Sequence, residues 1–156
     1  MVKICVAGAT GRMGSTLLRE AVSKGFKIVG AVASPENPNL GKTLKDLGLC
    51  DLDVKLMGPE KLDEAVGDAD VYITFTTPSA EVQNIPVVAD LGKRIVMGTT
   101  GFTDEQMRKV REAVSGKVPA VFSPNFAIGV NILFKLIQAL KALPPNYDLS
   151  VSEIHH

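Results

Sequence analysis

The feature that most constrains this chain is a glycine-spaced loop between an apolar strand and an amphipathic helix. The loop is Gly8-Ala9-Thr10-Gly11-Arg12-Met13-Gly14, and it directly follows residues 2–7, which are apolar apart from Lys3. Glycines at this spacing and junction are typical of βαβ units that hold a dinucleotide, because they permit a tight turn, backbone approach to a pyrophosphate, and close helix–sheet packing. The helix N-terminus adds amides and a dipole that attract phosphate. The sequence therefore predicts a dinucleotide-binding unit here.

The rest of the chain alternates strand-like and helix-like segments. Strands are predicted at residues 2–7, 27–33, 54–57, 71–75, 94–97, 120–122 and 149–154. Helices are predicted at residues 12–24, 60–66, 79–91, 104–114 and 128–143. Pro86 is expected to interrupt and kink the third helix, and Thr103 with Gln106 forms a capping box for the fourth. Apolar strands that alternate with helices predict an α/β fold, a doubly wound (Rossmann-type) parallel sheet.

Composition excludes several classes of function. The 156 residues include 17 basic and 17 acidic side chains, which argues against a nucleic-acid or membrane surface that depends on bulk charge. No apolar run approaches the ~20 residues that a membrane span needs. Cys5 and Cys50 suggest neither a disulfide framework nor a metal site, and a strand that begins at residue 2 leaves no room for a signal peptide. We therefore expect a soluble, cytoplasmic protein without a metal.

Cofactor choice depends on the residue that follows the second strand. An acid that binds the ribose hydroxyls is expected there, about 20 residues after the glycine loop, but the position holds Ser34. A serine can donate a hydrogen bond to a 2′-phosphate, which favours the hypothesis that NADPH is used at least as well as NADH. In the alternative, Glu36 takes the acid's place and restores a preference for NADH.

Three later loops follow predicted strands and should reach the same edge of the sheet, where ligands of doubly wound folds bind. They are Thr76-Thr77-Pro78, Gly98-Thr99-Thr100-Gly101-Phe102 and Ser123-Pro124-Asn125-Phe126. Their hydroxyls, amides and backbone groups offer uncharged hydrogen-bond partners. Such partners suit the nicotinamide ribose and carboxamide of a dinucleotide.

Five segments together resemble the 4-hydroxy-tetrahydrodipicolinate reductase (dihydrodipicolinate reductase) family, in the family's order and across the whole chain. They are Val6-Ala7-Gly8-Ala9-Thr10-Gly11-Arg12-Met13-Gly14, Phe75-Thr76-Thr77-Pro78, Gly98-Thr99-Thr100-Gly101-Phe102, Ser123-Pro124-Asn125-Phe126-Ala127-Ile128-Gly129-Val130-Asn131 and Glu153-Ile154-His155-His156. The last three are far more specific than the glycine loop.

The resemblance implies reduction of 4-hydroxy-tetrahydrodipicolinate by NADPH or NADH in lysine and diaminopimelate biosynthesis, with loss of a hydroxyl as water. It implies that His155 donates a proton and that Thr100 and His156 contact the cyclic dicarboxylate substrate. The residues that it assigns to the cofactor are Gly8, Ala9, Thr10, Gly11, Arg12, Met13, Ser34, Phe75, Thr76, Gly98, Thr99, Thr100, Ser123, Pro124, Asn125 and Phe126.

The resemblance also divides the chain. Family members continue past the histidine pair with a lysine and a Ser-Gly-Thr segment that holds a carboxylate, whereas this sequence ends at His156. We therefore expect a dinucleotide-binding domain over residues 1–126 and, over residues 127–156, only the beginning of an α+β substrate domain. Full-length members are expected to form homotetramers, and this chain alone is expected to be inactive.

A binding module without chemistry is the competing interpretation. Redox-sensing NAD(P)-binding regulators also carry a Gly-Ala-Thr-Gly loop, and the absence of a Tyr-x-x-x-Lys motif in this sequence is compatible with such a sensor. The Gly-Thr-Thr-Gly loop and the terminal Glu-x-His-His segment favour the reductase.

Overall fold

The computed structural model describes residues 1–144, 146–148 and 150–152, and the chain forms two compact units, Met1–Pro124 and Asn125–His156. The first unit contains a six-stranded sheet whose strands are β1 (Lys3–Ala7), β2 (Lys27–Val32), β3 (Leu56–Met57), β4 (Val71–Thr74), β5 (Arg94–Met97) and β6 (Ala120–Phe122). Its helices are α1 (Arg12–Ser23), α2 (Leu62–Val66), which follows a 3-10 turn at Pro59–Lys61, α3 (Pro78–Asp90) and α4 (Asp104–Val114).

The strand order is β3-β2-β1-β4-β5-β6, and every paired strand runs parallel to its neighbours. The order reverses between β1 and β4, which is the switch point where ligands bind in doubly wound sheets. The predicted fold class is therefore confirmed. The carboxyl ends of all six strands lie at one edge, so the loops that follow them converge there.

Helices and loops bury both faces of this sheet. On one face, α2, α3 and α4 cover β-strand residues such as Cys5, Tyr72 and Met97. On the other, α1 and the segment before β3 cover residues such as Val6 and Ala31. Continuous apolar strands arise because both faces need apolar side chains. Burial also raises the pKa of the Cys5 thiol to about 12, which fits a core residue rather than a reactive one.

The predicted interruption of the third helix is wrong, because α3 runs unbroken from Pro78 to Asp90 with Pro86 inside it. Proline removes one backbone hydrogen bond and crowds the preceding turn. The helix persists because its neighbouring residues Ile85, Val88 and Ala89 are buried in the core. The capping box of Thr103 and Gln106 is confirmed at the start of α4, with both of its hydrogen bonds formed.

Over its described residues the second unit contains one helix, α5 (Ile128–Ala139), followed by a 3-10 turn at Leu140–Ala142 in place of the last turn of the predicted helix. No residue of α5 is buried, although most of them are apolar. The strand predicted at residues 149–154 does not form over its described members, Ser150 to Ser152, which pair with no described strand. Its other members lie outside the described residues.

Candidate functional site

The glycine loop is shaped by contacts that only glycine allows. Gly8 has a φ of 74°, in the left-handed region that favours glycine, and a Cβ there would overlap the carbonyl oxygen of Phe75. A Cβ on Gly14 would likewise overlap the carbonyl of Gly8. The end of β1, the start of α1 and the end of β4 are therefore held in direct backbone contact at the switch point.

The N-terminus of α1 presents its amides at this edge. Gly11 is the N-cap residue and no side chain caps the helix, while the first turn carries no acidic residue. The exposed residues Arg12 and Met13 form that first turn. Uncapped amides with a favourable dipole and a neighbouring guanidinium are the groups that bind a pyrophosphate.

The loop after β2 is joined to the glycine loop. Asn37 donates a hydrogen bond from its Nδ2 to the Oγ1 of Thr10 at 3.0 Å. The hydroxyl of Ser34 donates to the Oε2 of Glu36, and this bond lowers the pKa of the Glu36 carboxyl. Because the serine proton is directed to a carboxylate, this geometry supports the alternative in which Glu36 takes the place of the ribose-binding acid.

The loops after β4 and β5 pack against each other. The amide of Gly98 donates to the carbonyl of Thr74 at 3.0 Å, and a Cβ on Gly98 would overlap the Phe75 ring. The amide of Thr76 donates to the Oγ1 of Thr99 at 2.9 Å. Phe75, Thr76, Gly98 and Thr99, all predicted as cofactor residues, are therefore brought together beside the glycine loop.

A buried carboxylate that the sequence analysis did not identify lies beneath these loops. Glu81 is fully buried, and its Oε1 accepts hydrogen bonds from the hydroxyls of Thr74 at 2.5 Å, Thr76 at 2.6 Å and Thr99 at 2.7 Å. Its Oε2 has no hydrogen-bond partner among the described residues. In the sequence Glu81 is one acid near the start of a helix, and only its apolar surroundings along α3 hinted at burial.

The loop after β6 continues the same edge. Ser123 donates its amide to the carbonyl of Met97 at 3.2 Å. A cavity of about 310 Å³ opens next to it, between the β5 and β6 ends and α4. Its lining includes the predicted residues Thr99, Thr100, Ser123 and Pro124. The first unit therefore assembles predicted cofactor residues from four strand-end loops as well as the glycine loop.

Two predicted cofactor residues, Asn125 and Phe126, belong to the second unit. The Oδ1 of Asn125 accepts a hydrogen bond from the amide of Ala127 at 2.8 Å, and Asn131 donates to the Asn125 carbonyl at 3.0 Å and the Ala127 carbonyl at 2.9 Å. These bonds order the start of α5. The predicted catalytic residue His155 and the predicted substrate residue His156 lie outside the described residues.

The described part of the chain also bears on metal binding and on membrane insertion. Within it, no group of three or more His, Cys, Asp or Glu side chains is arranged to hold a metal ion. None of its helices is both long enough and apolar enough to cross a membrane.

Comparison with known proteins gives a consistent family. Residues 2–126 match the family described as "Dihydrodipicolinate reductase, N-terminus". The chain is 39% identical over 155 residues to the 4-hydroxy-tetrahydrodipicolinate reductase of Archaeoglobus fulgidus, covering 99% of this chain and 58% of the relative. It is 38% identical over 161 residues to the reductase of the same name from Methanocaldococcus jannaschii, covering 100% of this chain and 59% of the relative.

The fold has a solved counterpart. A dipicolinate-bound dihydrodipicolinate reductase from Paenisporosarcina sp. TG-14 superimposes with a TM-score of 0.65 at 23% identity, covering 91% of this chain and 54% of that one. At this identity the likeness supports the fold alone. The chain spans just under three-fifths of the length of the curated relatives described above, 58% and 59%. On the family match over residues 2–126 and on those relatives, the chain belongs to the dihydrodipicolinate reductase family, and residues 2–126 match the N-terminal part of its members.

Proposed function

We propose that this chain supplies the cofactor-binding part of an NAD(P)H-dependent 4-hydroxy-tetrahydrodipicolinate reductase. The observation that carries the proposal is the convergence of the glycine loop with Phe75, Thr76, Gly98 and Thr99 at the switch point of the sheet. Uncapped amides of α1 bind the pyrophosphate, and the β4 and β5 loops receive the nicotinamide half. The bound dinucleotide supplies the hydride for reduction of the cyclic dicarboxylate.

The chain's own residues have separate roles in this proposal. Thr100 lines the cavity beside the β5 loop, where it can contact both the nicotinamide and a substrate. His155 donates the proton that accompanies hydride transfer, since an imidazole titrates near neutral pH. His156 contacts the substrate. We propose that the complete protein forms the homotetramer that the resemblance implies. Its reaction belongs to lysine and diaminopimelate biosynthesis.

A chimera tests this proposal. Residues 1–126 would replace the matching segment of the Archaeoglobus fulgidus reductase, and loss of the reduced-nicotinamide absorbance would be followed with 4-hydroxy-tetrahydrodipicolinate present. We expect turnover, and we expect the same chimera with Gly8→Ala to lose it. A chimera that binds NADH or NADPH tightly but shows no turnover would contradict the reductase and favour a sensing module.

Cofactor choice is the finer part of the proposal. The bond from Ser34 to Glu36 places a carboxylate at the end of β2, where it attracts ribose hydroxyls and repels a 2′-phosphate. We therefore propose that Glu36 shifts the choice toward NADH. In Glu36→Gln the ratio of NADPH affinity to NADH affinity should rise about tenfold, because the substitution removes one charge contact at an exposed site. An unchanged ratio, measured by fluorescence titration with both cofactors, would contradict this role.

A further inference from the structure

The buried carboxylate of Glu81 joins two of the loops that the proposed function assigns to the cofactor. Its Oε1 accepts from Thr76, which follows β4, and from Thr99, which follows β5, at 2.6 Å and 2.7 Å. Thr76 also donates its amide to the Oγ1 of Thr99. The three groups form a closed set of hydrogen bonds that fixes the separation of the two loops.

The environment makes these hydrogen bonds strong. Glu81 is fully buried and Thr99 is 8% exposed, so water does not compete for the carboxylate oxygen. Hydrogen bonds to a carboxylate are shorter and roughly twice as strong as those between neutral groups. A third hydroxyl, that of Thr74, donates to the same oxygen from within β4 at 2.5 Å. The carboxylate therefore anchors the strand end as well as the loops.

The same bonds decide what the loop hydroxyls can offer a ligand. A threonine hydroxyl carries one proton, and the proton of Thr76 is directed to Glu81. Thr76 is only partly buried, and its hydroxyl oxygen therefore presents lone pairs alone. It can accept from a carboxamide N–H or a ribose O–H, the donors on the nicotinamide half of a dinucleotide, but it cannot donate to an acceptor.

We infer that Glu81 is a positioning residue for the nicotinamide half of the cofactor. It acts through Thr76 and Thr99, whose loops it holds together, and it orients the Thr76 hydroxyl as an acceptor. The inference rests on the proposed function, since it presumes that a nicotinamide dinucleotide binds at this edge. The glycine loop, which holds the pyrophosphate, makes no hydrogen bond to Glu81 within the described part of the chain.

The test compares NADH with ADP, which lacks both the nicotinamide ring and its ribose, by titration of the 156-residue chain. In Glu81→Gln a neutral amide oxygen replaces the carboxylate oxygen, and we expect the Kd for NADH to rise about tenfold while that for ADP stays within about twofold. Thr99→Val should have the same selective effect. Thr99→Ser, which keeps the hydroxyl, should restore wild-type binding.

Two further variants separate positioning from general support of the fold. Thr74→Val removes a hydrogen bond to the same carboxylate without touching either loop, and it should leave the ratio of the two Kd values unchanged. The double variant Glu81→Gln with Thr99→Val should bind NADH no more weakly than the worse single variant, because both changes remove one interaction. A rise of about a hundredfold in the Kd for NADH, the product of the two single effects, would contradict the inference.

The remaining outcomes are also decisive. Equal weakening of NADH and ADP in Glu81→Gln and Thr99→Val would show a structural role and overturn the inference, as would unchanged binding in both. If Glu81→Gln does not fold, the pair Thr99→Val and Thr99→Ser decides alone, with selective loss in the first and recovery in the second as the supporting result. A wild-type chain that binds neither NADH nor NADPH would contradict the proposed function itself.

Discussion

The two units of this chain differ in how their apolar side chains are used. In Met1–Pro124 the strands and helices bury a core on both faces of a sheet, including Leu18 at 0% exposure. In Asn125–His156 the helix α5 has no buried residue, and Leu136 is 62% exposed. The first unit therefore holds its conformation by packing, whereas α5 depends on local hydrogen bonds at its start. All the predicted cofactor residues except Asn125 and Phe126 lie in the first unit.

The largest expected effect is a matched pair of leucine truncations in helices. Leu18→Ala in α1 removes a fully buried side chain and should lower the free energy of unfolding by about 3 kcal/mol. Leu136→Ala in α5 should change it by less than about 0.5 kcal/mol, since the side chain is exposed. Urea unfolding followed by circular dichroism measures both. Equal losses of unfolding free energy in the two variants would contradict the difference in packing between the units.

Two glycines with positive φ sharpen the comparison within the first unit. Alanine at Gly25, where a Cβ meets open space, should cost about 1 kcal/mol from backbone strain alone. Alanine at Gly8 adds an overlap with the Phe75 carbonyl, so we expect about 2 kcal/mol and loss of dinucleotide binding. Titration with NADH and thermal melting distinguish the two variants. Retained binding in Gly8→Ala would contradict the proposed contact geometry.

Polar side chains at the starts of α4 and α5 give a smaller effect, one in each unit. Thr103→Ala breaks the capping box of α4 and should lower the unfolding free energy by about 1 kcal/mol. Asn125→Ala removes the side chain that accepts from the Ala127 amide. It should increase hydrogen exchange over residues 128–139 and leave the unfolding of the first unit unchanged. A global loss of stability in Asn125→Ala would show that the two units unfold together.

The smallest effect concerns two tyrosine hydroxyls. Tyr72 is fully buried and its hydroxyl has no hydrogen-bond partner among the described residues. Burial raises its pKa, and the nearby Glu81 charge raises it further. Tyr72→Phe should raise the unfolding free energy by up to about 1 kcal/mol, because an unpaired buried hydroxyl is costly. Tyr147→Phe, at an exposed position, should change nothing. A large loss in Tyr72→Phe would indicate a partner for the hydroxyl.

Features encoded by neighbouring residues could be predicted from the sequence. The glycine loop and the box of Thr103 with Gln106 are local patterns, and both formed as expected. The alternation of apolar strands with helices was sufficient for the fold class. The interruption predicted at Pro86 was wrong because the local cost of a proline inside a helix is outweighed by the burial of neighbouring residues in α3.

The carboxylate beneath the loops could not be predicted in the same way. Glu81 and Thr99 are 18 residues apart, and they meet only because β4 and β5 are neighbours in the sheet. Asn37 and Thr10 are 27 residues apart and meet for a similar reason at the end of β2. Ser34 and Glu36 are only two residues apart, and Glu36 was already named from the sequence as the alternative to Ser34 at the ribose. Contacts made by strand order were the ones that sequence reasoning missed.

Hydrogen exchange with and without NADH tests the central claim most directly, because it reports on both units in one experiment. We predict protection on NADH addition at the glycine loop around residues 8–14 and at the β4 and β5 loops around Thr76 and Thr99. We predict no change within α5, residues 128–139. Protection confined to α5, or no protection at the three loops at saturating NADH, would contradict the assignment of the cofactor site to the packed unit.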